Sequence, residues 1–121
     1  MNSYDNFFLP VDDVESAKEF YGDTLGLDLK FDFSDIGMTA YKVGSEEPAI
    51  ILKDKNKYPD VKPTIWIVVD SVSESYESLK SKGVKFLSEP FKIRTGHAVE
   101  FEDPFGNRLG ITDYDRCYEK V

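Results

Sequence analysis

The sequence predicts an α+β fold built from two β-α-β-β-β modules within a single domain spanning 1–121, the first over about 1–58 and the second over about 62–121. Three observations carry this. One order of strand and helix patterns occurs twice along the chain. A shift of 58 residues brings Val11-Asp12-x-Val14 onto Val69-Asp70-x-Val72, with both helices ending in register at "LGL" (25–27) and "KGV" (82–84), give or take one residue. Each strand also alternates apolar and mixed faces with the period of two that a half-covered sheet requires.

The first module opens with "FFLPV" (7–11), a short apolar strand. Asp12 or Asp13 then caps a helix, because a carboxylate there accepts from the orphan amides of the first turn and opposes the positive end of the dipole. Val14, Ala17, Tyr21 and Leu25 fall at helical spacing, Phe20 and Tyr21 carry the buried stripe, and the helix ends near Gly26. "DLKFDFSDIGMTAYKVG" reads as two strands turning around residues 34–37, and "PAIILK" as a third before the Lys-rich loop "DKNKYPDVKP".

The second module repeats the plan. Strand 64–69 leads to helix 71–83, then strand "VKFLSEP", loop "FKIRTG", strand "HAVEFE", turn "DPFGN" and strand "RLGIT". In the turn, Asp103 and Pro104 suit its opening, while Gly106 with Asn107 tolerates the positive φ needed to leave it.

Alternation sorts the strand residues into two faces. Phe7, Leu9 and Val11, then Ile65, Ile67 and Val69, then Leu109 and Ile111 are expected under the helices. The opposite faces hold Asn6, Phe8 and Pro10; Thr64, Trp66 and Val68; Ala98, Glu100 and Glu102; and Arg108, Gly110 and Thr112. That mixture of polar and aromatic side chains suits an accessible concave wall.

Composition narrows the function classes. The chain has 121 residues, 40% of them hydrophobic, with nine Phe, seven Tyr and one Trp, enough to form a packed core and unlike a disordered segment. A formal charge of −8 repels a phosphate backbone or an anionic membrane surface, so neither nucleic acid nor membrane is an expected partner. One cysteine, Cys117, in the tail "YDRCYEKV", forms no intrachain disulfide, and with no histidine nearby in sequence it reads as an ordinary thiol. The start "MNSYDNFFLP" lacks the pattern of a secretory signal, and no apolar run approaches about 18 residues, so a cytoplasmic location is expected.

"LPVDDVESAKEFYGDTLGL" and "VEFEDPFGNRLGI" resemble the vicinal oxygen chelate superfamily, which holds glyoxalase I, extradiol dioxygenases, fosfomycin-resistance enzymes and bleomycin-resistance proteins. The resemblance covers nearly the whole chain. It implies that the paired modules form one curved mixed sheet around a cleft, with the helices outside. It also implies a homodimer, with clefts at or near the subunit interface.

Enzymes of that superfamily hold a divalent metal on the concave face, and the resemblance places the three ligand positions at Asn6, Thr64 and Gly110. Transition-metal sites use imidazole, thiolate or carboxylate donors. An amide, a hydroxyl and a hydrogen atom supply none of these, so no metal and no cofactor is expected. His97, the sole histidine, shares parity with Val99 and Phe101 and reads as a surface or capping residue. Glu100 and Glu102 are suited to a hard cation or to acid and base roles, or are solvated strand charges; Arg108 across the hairpin offers each a partner that would lower its pKa.

The expected ligand-binding residues are therefore Phe8, Tyr41, Trp66, Glu100, Glu102 and Arg108, with Phe105, Phe91 and Arg94 nearby. Aromatic side chains in such a wall either stack on a planar ligand or fill the core. The expectation is a metal-independent protein that sequesters a small aromatic or cationic compound. The alternatives are a glyoxalase-type lyase, isomerase or dioxygenase with a displaced metal on His97, Glu100 and Glu102, and a scaffold with a closed cleft.

Overall fold

The computed structural model describes residues 1–114; Cys117 and the rest of the tail lie outside that range. Its contacts divide into two compact units, Asn6–Pro63 and Met1–Asp5 together with the chain from Thr64 onward. The break falls at Pro63. Residues 1–5 differ from expectation by belonging with the second module, for an identifiable reason. The Asn2 amide donates to the Val68 carbonyl at 2.8 Å, Asn2 Nδ2 donates to Asp70 Oδ1 at 2.8 Å, and the Tyr114 hydroxyl bonds the Asp5 carboxylate.

The N-terminal module has the order β1 (Ser3–Val11), α1 (Val14–Lys18), β2 (Asp28–Phe33), β3 (Met38–Lys42) and β4 (Ala49–Asp54). β1 runs parallel to β4, which pairs antiparallel with β3, and β3 with β2. Asp13 is the cap, accepting from the Ser16 amide at 3.2 Å and the Ser16 hydroxyl at 3.0 Å. The Ser16 bonds hold the Asp13 carboxyl below its ordinary value.

The expected long helix is only partly α-helical. After Lys18 the hydrogen bonds lengthen into a π turn, Glu19–Thr24, where the Leu25 amide reaches back to the Phe20 carbonyl at 2.8 Å. This widening rotates the later residues off the 3.6-residue spacing. Phe20 and Leu25 are accordingly each 50% exposed, and of the expected pair only Tyr21 is partly buried. Tyr21 stacks on Tyr41, ring centroids 6.2 Å apart.

The C-terminal module has the order β5 (Thr64–Val68), α2 (Val72–Ser81), β6 (Lys85–Phe86), β7 (Phe91–Ile93), β8 (Gly96–Glu102) and β9 (Arg108–Thr112). β5 is parallel to β9, which is antiparallel to β8, and β6 and β7 both pair with β8. The segment expected as the loop "FKIRTG" thus contains a strand, β7. The shorter β6 ends at Phe86, and after the bend that follows, Phe91 to Ile93 re-enter the ladder opposite Ala98 to Gly96.

Much of the expected helix-facing set forms this module's core: Val69, Val99 and Ile111 pack with Val72 and Tyr76 of α2, flanked by Ile67, Leu79, Phe86 and Phe101, whereas Ile65, at the start of β5, is 42% exposed and lies outside it. Ser71 caps α2, its hydroxyl accepting from the Glu74 amide at 3.2 Å. Asp113 adds a tie that the sequence pattern did not disclose. Buried at 6% exposure, it accepts from the Val72 amide at 2.7 Å through one oxygen and from the His97 amide at 2.8 Å through the other. One carboxylate thereby fastens the start of α2 to the start of β8.

Candidate functional site

Strand register lays out the helix-opposite face of the C-terminal module as three rows across β5, β9 and β8. They are Thr64–Arg108–Glu102, Trp66–Gly110–Glu100 and Val68–Thr112–Ala98. Four of the expected ligand-binding residues, Trp66, Glu100, Glu102 and Arg108, therefore share one face. The Arg108 guanidinium donates through Nη2 to Glu102 Oε2 at 3.1 Å, and both side chains are partly covered, at 13% and 28% exposure. A partly desolvated pair of this kind is more strongly coupled than an open surface pair.

The middle row explains the glycine. Gly110 does not have a left-handed φ, so backbone freedom does not require it. Space does. A Cβ built on Gly110 falls 2.5 Å from both Cε3 and Cζ3 of Trp66 and 2.6 Å from Cδ2, closer than non-bonded carbons pack. The indole, 6% exposed, lies across the backbone of Gly110 and occupies the room that a side chain from β9 would need.

In the N-terminal module the helix-opposite face carries Phe8–Ile51–Ala40–Phe31 and Pro10–Lys53–Met38–Phe33 as adjacent rows. Ala40, Ala49 and Ile51 are its buried centre, with Phe8, Phe31 and Met38 packed around them. Lys53, which sequence reasoning did not single out, places its ammonium 4.7 Å from the Phe8 ring centroid and 4.0 Å from that of Tyr58. Its parity with Ile51 was a usable signal; Tyr58 lies in a loop and had none.

Tyr41 does not belong to this face. Its register with Ile50 and Leu29 puts it on the helix side, where it is 4% exposed, stacks on Tyr21 and points its hydroxyl at the Lys18 carbonyl, 3.5 Å away. Burial raises its pKa. Beside it Lys18 Nζ meets Asp32 Oδ2 at 2.8 Å, and the Lys18 bond holds the Asp32 carboxyl down at about 2. Phe7 and Leu9 face the helix side as expected. Instead of lying under α1, they line an apolar hollow of about 520 Å³ with Val43, Glu46, Pro48 and Ile50. Phe105, at the tip of the "DPFGN" turn, is 86% exposed, and Phe91 in β7 is 43% exposed.

The three positions that the resemblance assigns to a metal do not fit one here. The Asn6 side-chain oxygen accepts from the Ala49 amide at 3.0 Å, Thr64 is buried at 3% exposure, and Gly110 offers only a backbone overlaid by indole. Among the described residues no group of three or more His, Cys, Asp and Glu side chains is placed to hold a metal ion. His97 lies beside Asp113, Nδ1 to Oδ1 3.9 Å, and alternation in β8 puts it on the opposite face from Glu100 and Glu102.

Residues 3–111 match the family model for the glyoxalase/bleomycin resistance protein/dioxygenase superfamily. The chain belongs to this superfamily. Among curated relatives, it is 29% identical over 107 residues to the uncharacterized protein YetH of Bacillus subtilis strain 168, covering 80% of this chain and 86% of that one. It is 28% identical over 118 residues to YurT of the same strain, also uncharacterized, covering 84% and 91%. Among solved structures, methylmalonyl-CoA epimerase from Mycobacterium tuberculosis aligns with a TM-score of 0.72 at 20% identity, over 98% of this chain and 92% of that one. At that identity the likeness establishes the superfamily fold. No helix among the described residues is long and apolar enough to cross a membrane.

Proposed function

We propose that this superfamily member is a metal-independent small-molecule binding protein that sequesters an aromatic or cationic compound. The observation that carries the reading is the Trp66–Gly110 pair: where superfamily enzymes place a carboxylate, this chain lays an indole across a glycine. Glu100 and the Arg108–Glu102 pair, on the same face as the buried indole, suit recognition of an organic molecule with a polar or positive group. The acidic balance of the chain favours a cationic ligand in the same direction.

The reading extends to a homodimer in the cytoplasm. Support for the dimer comes from β2, the end strand of its module, which leaves Leu29 and Phe33 about half exposed for a second copy to cover. The alternative, a lyase, isomerase or dioxygenase with a displaced metal, needs His97 to join Glu100 and Glu102 across the sheet and is the weaker reading.

Trp66, the sole tryptophan, reports binding directly. Its fluorescence is expected to change saturably with at least one member of a panel of planar and cationic compounds, and silence across the panel counts against the binder. Elemental analysis of protein purified without chelator tests the alternative; a stoichiometric transition metal lost in Glu100→Ala would replace our reading.

A further inference from the structure

The ring faces of Phe8 and Tyr58 converge on one positive centre, the ammonium of Lys53, at 4.7 and 4.0 Å. Both distances lie within the range at which an aromatic face attracts a cation. Neither ring depends on Lys53 for its position. Phe8 is packed on the cluster of Ala40, Ala49 and Ile51. Tyr58 is fixed at both ends, its amide donating to the Asp54 carbonyl at 2.9 Å and its hydroxyl to the Ile36 carbonyl at 2.9 Å. Its ring also lies against Gly37, where an added Cβ would lie 3.1 Å from Cε2 and the backbone has φ 85°, so a side chain there would be both crowded and strained.

Two rings held independently and aimed at one point form a site for a compact cation; a planar ligand would want a flat, open ring face instead. We propose that Phe8 and Tyr58 are a clamp for an organic ammonium group, that Lys53 fills it as a tethered occupant, and that a cationic ligand binds by displacing Lys53. The proposal deepens the reading of the protein as a small-molecule binder, and rests on it, by naming the ligand's chemical class and a device that sets its threshold. A tethered competitor acts at a fixed effective concentration, so only a ligand that exceeds it, or adds contacts of its own, displaces the lysine.

The test is an NMR titration of the full chain with tetramethylammonium chloride at ionic strength matched by sodium chloride, with neutral tert-butanol as the shape control. In the unaltered protein the Lys53 ε-methylene resonances, shifted by ring currents, are expected to move toward free-lysine positions as the cation enters. In Lys53→Met the Phe8 and Tyr58 ring signals are expected to shift saturably at about fivefold lower tetramethylammonium, with little response to tert-butanol. A folded Lys53→Met protein with no saturable shift, or an equal response to tert-butanol, overturns the proposal. Should that variant not fold, the unaltered protein decides: Lys53 signals unmoved up to about 200 mM cation overturn it. Trp66 fluorescence read on the same samples separates the two readings, since a response at Trp66 with none at Phe8 and Tyr58 removes the clamp and leaves the binder.

Discussion

Replacing Gly110 with alanine adds one methyl group, and the structure says what that methyl meets. It falls 2.5 to 2.6 Å from three indole carbons of Trp66, about 1 Å inside normal packing, and the indole is 6% exposed with little room to retreat. Overpacking of this kind costs about 3 kcal/mol at the upper end of its usual range. Against that, alanine in a strand gains about 0.5–1 kcal/mol over glycine through the unfolded chain. The net expectation for Gly110→Ala is a loss of about 2 kcal/mol, or about 6–10 °C in Tm for a chain of this size. In a Trp66→Ala background the obstruction is gone and the same substitution should be neutral or stabilise by about 0.5–1 kcal/mol. The pair should therefore couple by about 3 kcal/mol in a double-mutant cycle. Guanidinium denaturation followed by far-UV circular dichroism measures all four proteins. A Gly110→Ala cost that is the same with and without Trp66 would refute the packing argument and, with it, the reason given for the glycine.

Asp113→Ala should destabilise by about 3 kcal/mol, because it strips the acceptor from the buried Val72 amide and from the part-buried His97 amide, whereas Asp113→Asn keeps one acceptor and should cost about half as much; chemical denaturation compares them. Asp32 titrates at about 2 in the folded chain against an ordinary 3.8, so its contribution is present above about 4 and is lost as pH falls toward 2. Asp32→Asn should flatten the stability profile across that window. Tyr114 has the opposite sign: burial and its bond to Asp5 raise its pKa above the ordinary 10.0, so its contribution holds below pH 10 and fades as pH rises beyond it. Thermal melts from pH 9 to 11 should show a steeper decline in the unaltered protein than in Tyr114→Phe.

The paired modules were legible because strand alternation and element order are local properties repeated in the chain. Ile67, Val69, Val99 and Ile111 pack with α2 as their parity requires. Parity also put Trp66, Glu100, Glu102 and Arg108 on one face. Tyr41 lies on the helix side, away from the expected wall, because its register with Leu29 and Ile50 sets its face and an aromatic side chain suits either face. The π turn after Lys18 is not legible in the sequence, since "EFYGDT" carries helical spacing and the lengthened hydrogen bonds leave no mark in composition. Asp113 and Tyr58 act across sequence separations of 41 and 22 residues, where no local pattern points to a partner.

The placement of the first five residues bears on how this protein can be divided. A gene split between codons 63 and 64 would deliver a carboxy-terminal piece missing the two hydrogen bonds that Asn2 donates to Val68 and Asp70, and the hydroxyl of Tyr114 would lose its acceptor. Fragment complementation should therefore work best with the amino-terminal pentapeptide grafted ahead of Thr64.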